Sequence, residues 1–142
     1  MYALFKPELL DLARAVYQQQ AAFEAGDIDE SALKELQLDR LKEVVRYVKA
    51  GSAFYKTHLS SVPDNSIDSL SWEHFSRLPF TSKNDLREAG HDLAAAPLNK
   101  AWVYYETTGT TGAATPCPRN EHDSIFNNTP LIQRYGELFR AH

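Results

Sequence analysis

Apolar residues recur at intervals of three and four along the first fifty positions, and that spacing predicts two amphipathic helices. In the first, Leu9, Leu12, Ala13, Val16 and Tyr17 form one stripe, while Gln18, Gln19 and Gln20 read as solvated. Pro7 suits a first helical turn because its missing N–H would have had no partner there, and Glu8 and Asp11 complement the positive helix end. This helix is expected over residues 7–25, stopping at Gly26. In the second, Leu41, Val44, Val45 and Val48 fall at i, i+3, i+4 and i+7, with Lys42, Glu43, Arg46 and Lys49 turned mostly outward. Asp27 or Asp29 is placed to cap its start, and Gly51 ends it.

Shorter elements follow. Ser52 suits the cap of a third helix through Phe54, Tyr55 and Leu59, and the stretch SSVPDNS from Ser60 to Ser66 reads as a turn-rich linker. Ser71 caps a fourth helix through Phe75 that ends before Leu78 and Pro79, because a residue preceding proline disfavours the helical region. Ser82 repeats the device with Asp85 three residues on, opening a fifth helix that stops near Ala89 and Gly90. The β-formers of AWVYY, Ala101 to Tyr105, predict a strand, and Pro116 to Arg119 the other arm of a hairpin, confined to an edge by its prolines. Asp123 is expected to cap a last helix through Ile125, Leu131, Ile132, Tyr135, Leu138 and Phe139. The chain therefore reads as mainly α with one β-hairpin near the C-terminus: a helical region over residues 1–100, then strand, loop, hairpin arm and helix over 101–142. A two-stranded ribbon is marginal alone and these helices have no sheet to cover, so a piece of a larger protein is expected.

Composition narrows the class. A chain of 142 residues supports one ordinary core, and a hydrophobic share of 43% excludes a disordered chain. The net charge is −4 and the basic residues are scattered, so no strip neutralises successive phosphates, which excludes a nucleic-acid partner. Cys117 is the only cysteine, so neither an internal disulfide nor a paired-cysteine metal motif is available, in keeping with a reducing cytoplasm. No apolar run suits a membrane span or signal peptide, so no membrane partner is expected.

Directly after the first strand come Thr107, Thr108, Gly109, Thr110, Thr111 and Gly112. Converging backbone N–H groups in a glycine loop, with hydroxyls beside them, suit a pyrophosphate whose charge a metal ion offsets. A hairpin turn with solvated threonines explains the same residues. The spacing matches neither G-x-x-x-x-G-K-S/T nor G-x-G-x-x-G. Elsewhere, His58, His74, His91, His122 and His142 lack metal-ligand spacing and read as surface or capping residues. Cys117 has no evident base, and Glu106 fits a metal contact or a solvated strand end. Trp72, Phe75, Phe80 and Trp102 read as core or docking residues ahead of an acyl pocket. No catalytic and no metal-ligating residue is assigned.

The ordered set of motifs resembles the adenylate-forming, AMP-binding ligases, in particular their phenylacetate–coenzyme A ligase-like branch. Thr107 to Thr115 is similar to that family's loop S-S-G-T-T-G-K-P-T. Upstream, Ser52-Ala53-Phe54-Tyr55-Lys56 is similar to its S-P-F-Y-K/R element, and Leu78 to Arg87 to its L-P-x-T-x-K-x-D-L-R element. The likeness covers about residues 36–140. It implies an N-terminal fragment of the α/β large domain of an enzyme that activates a carboxylic acid with ATP and Mg2+ and passes the acyl group to coenzyme A or a carrier thiol. By the same resemblance Thr107, Thr108, Gly109, Thr110, Thr111 and Gly112 would hold the β- and γ-phosphates. Ala113 and Ala114 stand where the family has lysine and proline, which removes a cation and a stiff exit. The family's adenine pocket, metal-binding glutamate and C-terminal lysine have no counterpart here, so this chain alone is expected to be inactive. The alternative is a non-catalytic remnant, a split-enzyme half or an interaction module. Uncovered helix faces and a strand edge also lead us to expect a dimer or a complementing chain.

Overall fold

A computed structural model describes residues 6–107 and 116–140. The chain divides into two compact units, one of Met1–Asp29, Ala101–Tyr105 and Pro118–His142, the other of Glu30–Lys100 and Glu106–Cys117. Helices dominate both, and the described strands form a single hairpin near the C-terminus.

The first unit begins with α1, Pro7–Ala25, whose proline occupies the first turn as expected. Gly26 adopts φ 78°, and the N–H groups of Gly26 and Asp27 return to the carbonyls of Phe23 and Ala22, a left-handed closure that glycine permits without strain. Leu9 and Val16 are buried, whereas Tyr17, expected on the same stripe, is 51% exposed. The partner of α1 is α6, Glu121–Arg140, and Lys6 pairs with Glu121 across them at 2.5 Å. Asp123 does not cap α6. Asn120 does, its side-chain oxygen accepting the Asp123 N–H at 2.9 Å while the Asp123 carboxylate accepts the Asn120 N–H at 3.2 Å. Asparagine caps as well as aspartate, and here the pair acts reciprocally. Pro130 lies within α6 and cannot donate to the Phe126 carbonyl. The face of α6 also differs from expectation: Leu131, Ile132 and Tyr135 are exposed, while Ser124 is buried and Ile125, Thr129 and Gln133 are half-buried. Its packing neighbour among the described helices is α1.

In the second unit, α2 spans Glu30–Gly51, which leaves Asp29 rather than Asp27 at the capping position. Helix α3, Ala53–His58, follows, then a 3-10 turn over Asp64–Ser69. Val45, Leu59, Val62, Ile67 and Leu70 form the core, with Val48, Tyr55, Phe75 and Leu78 packed against it. SSVPDNS is thus more than a linker, since Val62 within it and Ile67 just after it are buried. The buried stripe of α2 is narrower than its sequence suggests: Val44 is 55% exposed. Lys49 is not outward-facing; its side chain is 9% exposed, with Nζ 2.8 Å from the Asp64 carboxylate and bonded to the Val62 carbonyl. Lysine can lay its apolar stem along a core and still reach a charged partner, which a binary reading of polarity misses.

Helices α4, Trp72–Phe75, and α5, Lys83–Ala89, open on Ser71 and Ser82 as expected; Ser82 pairs reciprocally with Asp85, and Ser71 does so with His74, a pairing that the sequence reading did not include. The Ser82 hydroxyl, and then its N–H, hold the Asp85 carboxyl below the usual carboxylate range. A carboxyl whose folded value is depressed supports folding above its ordinary value of about 3.9 and loses that support as pH falls through the folded value. Asp64 is lowered in the same sense by Lys49. Wild-type protein is therefore expected to lose thermal stability between pH 5 and pH 3, and Asp85→Asn to flatten part of that loss, leaving the share of Asp64. Melting curves across that interval that superimpose for wild type and variant would refute the assignment. Two further 3-10 turns, Gly90–Leu93 and Leu98–Lys100, lead out of this helical stretch.

A threonine and glycine loop carried by a hairpin

The expected strand forms as β1, Val103–Glu106, and its partner as β2, Pro116–Arg119. At their paired ends the Trp102 N–H donates to the Arg119 carbonyl at 2.8 Å, and the Arg119 guanidinium lies 5.1 Å above the Tyr105 ring. A cation over an aromatic face is attracted by the ring quadrupole, so Arg119 is held along the hairpin. The candidate loop leaves from the end of β1. Thr107 is exposed; Thr108, Gly109, Thr110, Thr111 and Gly112 lie outside the described residues, as do Ala113, Ala114 and Thr115. Glu106 is exposed at the strand end that feeds the loop, and Cys117 is exposed in β2. Among the described residues no group of three or more His, Cys, Asp or Glu side chains could hold a metal ion.

The two upstream segments with motif character meet in the second unit, where their polar residues maintain the fold. Ser52 is 2% exposed; its hydroxyl donates to the Asp92 carbonyl at 2.7 Å and accepts the Tyr55 N–H at 3.2 Å. The Thr81 hydroxyl reaches the Tyr55 phenol at 3.4 Å, and Tyr55 and Leu78 flank the same core. Gly51 explains how Ser52 comes so close to this segment. A Cβ there would fall on the Ala95 carbonyl oxygen and lie 2.8 Å and 2.9 Å from its carbon and Cα. The backbone of residue 95 thus passes where any side chain at 51 would stand, a close approach open to glycine alone.

The remaining candidates divide. His74 is a capping residue, its Nδ1 accepting the Ser71 N–H at 3.3 Å. His58 is no surface residue: it is half-buried and stacks on Phe54 at 4.8 Å, with Nε2 enclosed. Phe75 supports the core, but Trp72, Trp102 and Phe80 are exposed, Phe80 at 93%, contrary to a core assignment. One opening that the sequence did not signal lies in the second unit, a cavity of about 400 Å3 lined by Ser61, Val62, Ser69, Leu70, His74 and Arg77 among others. The hydroxyls of Ser66 and Ser69 donate to the carbonyls of Pro63 and Ser66, so their protons stay within the turn. Of the histidines weighed as candidates, His74 lines it. Its lining is drawn from the 3-10 turn, the buried Val62 and Leu70, and the segment around α4, residues with no common spacing in the sequence. No described helix is long and apolar enough to cross a membrane.

No family model matches the chain. It is 33% identical over 92 residues to a phenylacetate-coenzyme A ligase of Thermus thermophilus, covering 64% of this chain and 21% of that protein. It is 27% identical over 101 residues to a phenylacetate-coenzyme A ligase of Pseudomonas putida, covering 70% of this chain and 23% of that one. The chain thus spans between a fifth and a quarter of the length of the curated relatives it matches, and its likeness is to a segment of a ligase.

Proposed function

We propose that this chain is the N-terminal part of an ATP-dependent, acyl-adenylate-forming ligase of the phenylacetate–coenzyme A ligase kind. The observation that carries this reading is the partial identity to two ligases of that name, taken with a strand, a threonine and glycine loop and a second strand in the order that the resemblance requires. In such a reaction a carboxylate oxygen attacks the α-phosphorus of ATP, the bond to the β-phosphate oxygen breaks and pyrophosphate leaves. A thiol sulfur of coenzyme A or a carrier then attacks the acyl carbon and AMP departs. The contribution assigned to Thr107, Thr108, Gly109, Thr110, Thr111 and Gly112 is to hold the β- and γ-phosphates with backbone N–H groups and hydroxyls. Mg2+ would supply the charge that hydroxyls lack, all the more because Ala113 offers no cation. The role is positional, and no proton transfer is assigned to the loop.

Alone, the chain is expected to give no carboxylate-dependent exchange of labelled pyrophosphate into ATP, and no stoichiometric Mg-ATP binding by calorimetry. Exchange should appear only in a polypeptide or complex that also carries the remaining ligase segment, with an aryl or alkyl acid present. Activity of the isolated chain would overturn the fragment reading. Silence of the completed assembly across a panel of acids would overturn the ligase reading. A second reading, a split-enzyme half or interaction module, draws support from the exposed Leu131, Ile132 and Tyr135 on α6.

A further inference from the structure

The 3-10 turn over Asp64–Ser69 sorts its side chains by chemistry. Its two carboxylates turn to α2, Asp64 pairing with Lys49 at 2.8 Å and Asp68 with Arg46 at 2.5 Å. Its serines, Ser66 and Ser69, line the cavity of about 400 Å3, a size within the span of about 300–1,000 Å3 usual for small-molecule sites. The buried Val62 and Leu70 and the half-buried Leu78 make the apolar part of the lining, and the exposed Ser61, His74 and Arg77 complete its polar part. None of these residues is Asp or Glu, so Arg77 brings an uncompensated positive charge to the lining. His74 Nδ1 accepts the Ser71 N–H at 3.3 Å, which leaves the proton of the neutral ring on Nε2, a donor. The Arg77 guanidinium has five N–H donors, and its contact to Glu73, outside the lining, engages Nη2 at 2.5 Å. With the two side chains 71% and 72% exposed, that ion pair holds the guanidinium only weakly.

We propose that this cavity binds a small monocarboxylate with a short apolar body. The carboxylate takes charge-assisted bonds from Arg77 and a further bond from His74 Nε2, and the apolar body covers Val62, Leu70 and Leu78. Charge and lining select this class together. One guanidinium balances one carboxylate, whereas a phosphate dianion exceeds that charge and has nothing to set against the apolar residues. A neutral apolar molecule would instead screen Arg77 and His74 from water without giving them a partner. Every residue invoked lies within the second unit, and the proposal does not depend on the ligase reading.

The test uses the whole 142-residue chain with benzoate as the probe. Titration followed by amide proton–nitrogen correlation spectra should move the signals of Val62, Leu70, His74 and Arg77 together along one saturable curve. Benzamide, of the same shape but uncharged, and inorganic phosphate, charged but not apolar, should each bind about tenfold more weakly or worse. Arg77→Gln should weaken benzoate binding by about tenfold, with an unchanged helical circular dichroism spectrum because the side chain is exposed. Glu73→Gln removes the carboxylate that competes for Arg77 and should strengthen binding about two- to fivefold. Lining signals that stay still at tens of millimolar benzoate, benzamide binding as well as benzoate, or an affinity unchanged in Arg77→Gln or not raised in Glu73→Gln would each overturn the proposal. Equal binding of phosphate would overturn it too, as the mark of an adventitious ion only.

Discussion

Ile67→Ala is expected to lower the stability of the second unit by about 2–5 kcal/mol, the usual range for emptying a buried isoleucine. Ile67 is 2% exposed and sits among Val45, Leu59, Val62 and Leu70. Two causes place the change toward the upper half of that range. The loss combines the transfer of the removed carbons with the cavity left behind, and the site relaxes poorly because Ile67 belongs to a 3-10 turn fixed by its own backbone. A whole domain retains only about 5–15 kcal/mol, so one side chain accounts for a large share. Chemical denaturation monitored by far-ultraviolet circular dichroism should show a lower midpoint with an unchanged slope. A shift of under about 1 kcal/mol would mean that Ile67 is not the centre of this core.

Gly51→Ala tests two opposing effects whose sizes decide the sign. Gly51 closes α2 and lacks a positive φ, so alanine would gain about 1 kcal/mol of helix propensity if nothing else changed. Yet the added methyl would lie 2.8 Å from the Ala95 carbonyl carbon and fall on its oxygen, and a backbone neighbour cannot swing aside as a side chain can. Forcing matter into a packed site costs about 1–3 kcal/mol and occasionally more. Separation of the two segments would also strain the buried bond from Ser52 to the Asp92 carbonyl, so the steric effect wins. A net loss of about 2 kcal/mol is expected, read as a fall in melting temperature of roughly 8–16 °C for a unit of this size. Gly26→Ala provides the contrast: open space surrounds its Cβ position, so its cost comes from φ 78° alone, about 1–2 kcal/mol. A variant at 51 as stable as wild type would show that the loop around Ala95 does not press on α2.

Much of this architecture was legible because the signals were local. Pro7 and Gly26 bracketed α1 correctly, and Ser71 and Ser82 announced α4 and α5 because each cap bonds a residue only three positions on. What failed depended on distant neighbours. Val44 and Lys49 exchanged their expected environments because the second unit covers a narrow arc of α2, and Lys49 finds Asp64 at a sequence distance no periodicity encodes. Leu131, Ile132 and Tyr135 carry a helical spacing that implies burial, but burial needs a partner, and the three are exposed although α6 packs on α1. Ser52 read as a cap and proved also to clasp Asp92, a bond that pattern alone could not supply. The loop itself was legible as composition and order; its ligand was suggested by resemblance, since glycine and threonine specify a turn and a phosphate cradle equally.

The pairing of Lys6 with Glu121 joins residues 115 positions apart. Synthesis proceeds at about 5–20 residues per second, so α1 leaves the ribosome on the order of ten seconds before α6 exists. During that interval Leu9 and Val16 have no helix to cover them, while the stretch from α2 to α5 is already long enough to fold within itself. Until α6 is made, α1 therefore lacks the helical neighbour that it has in this unit.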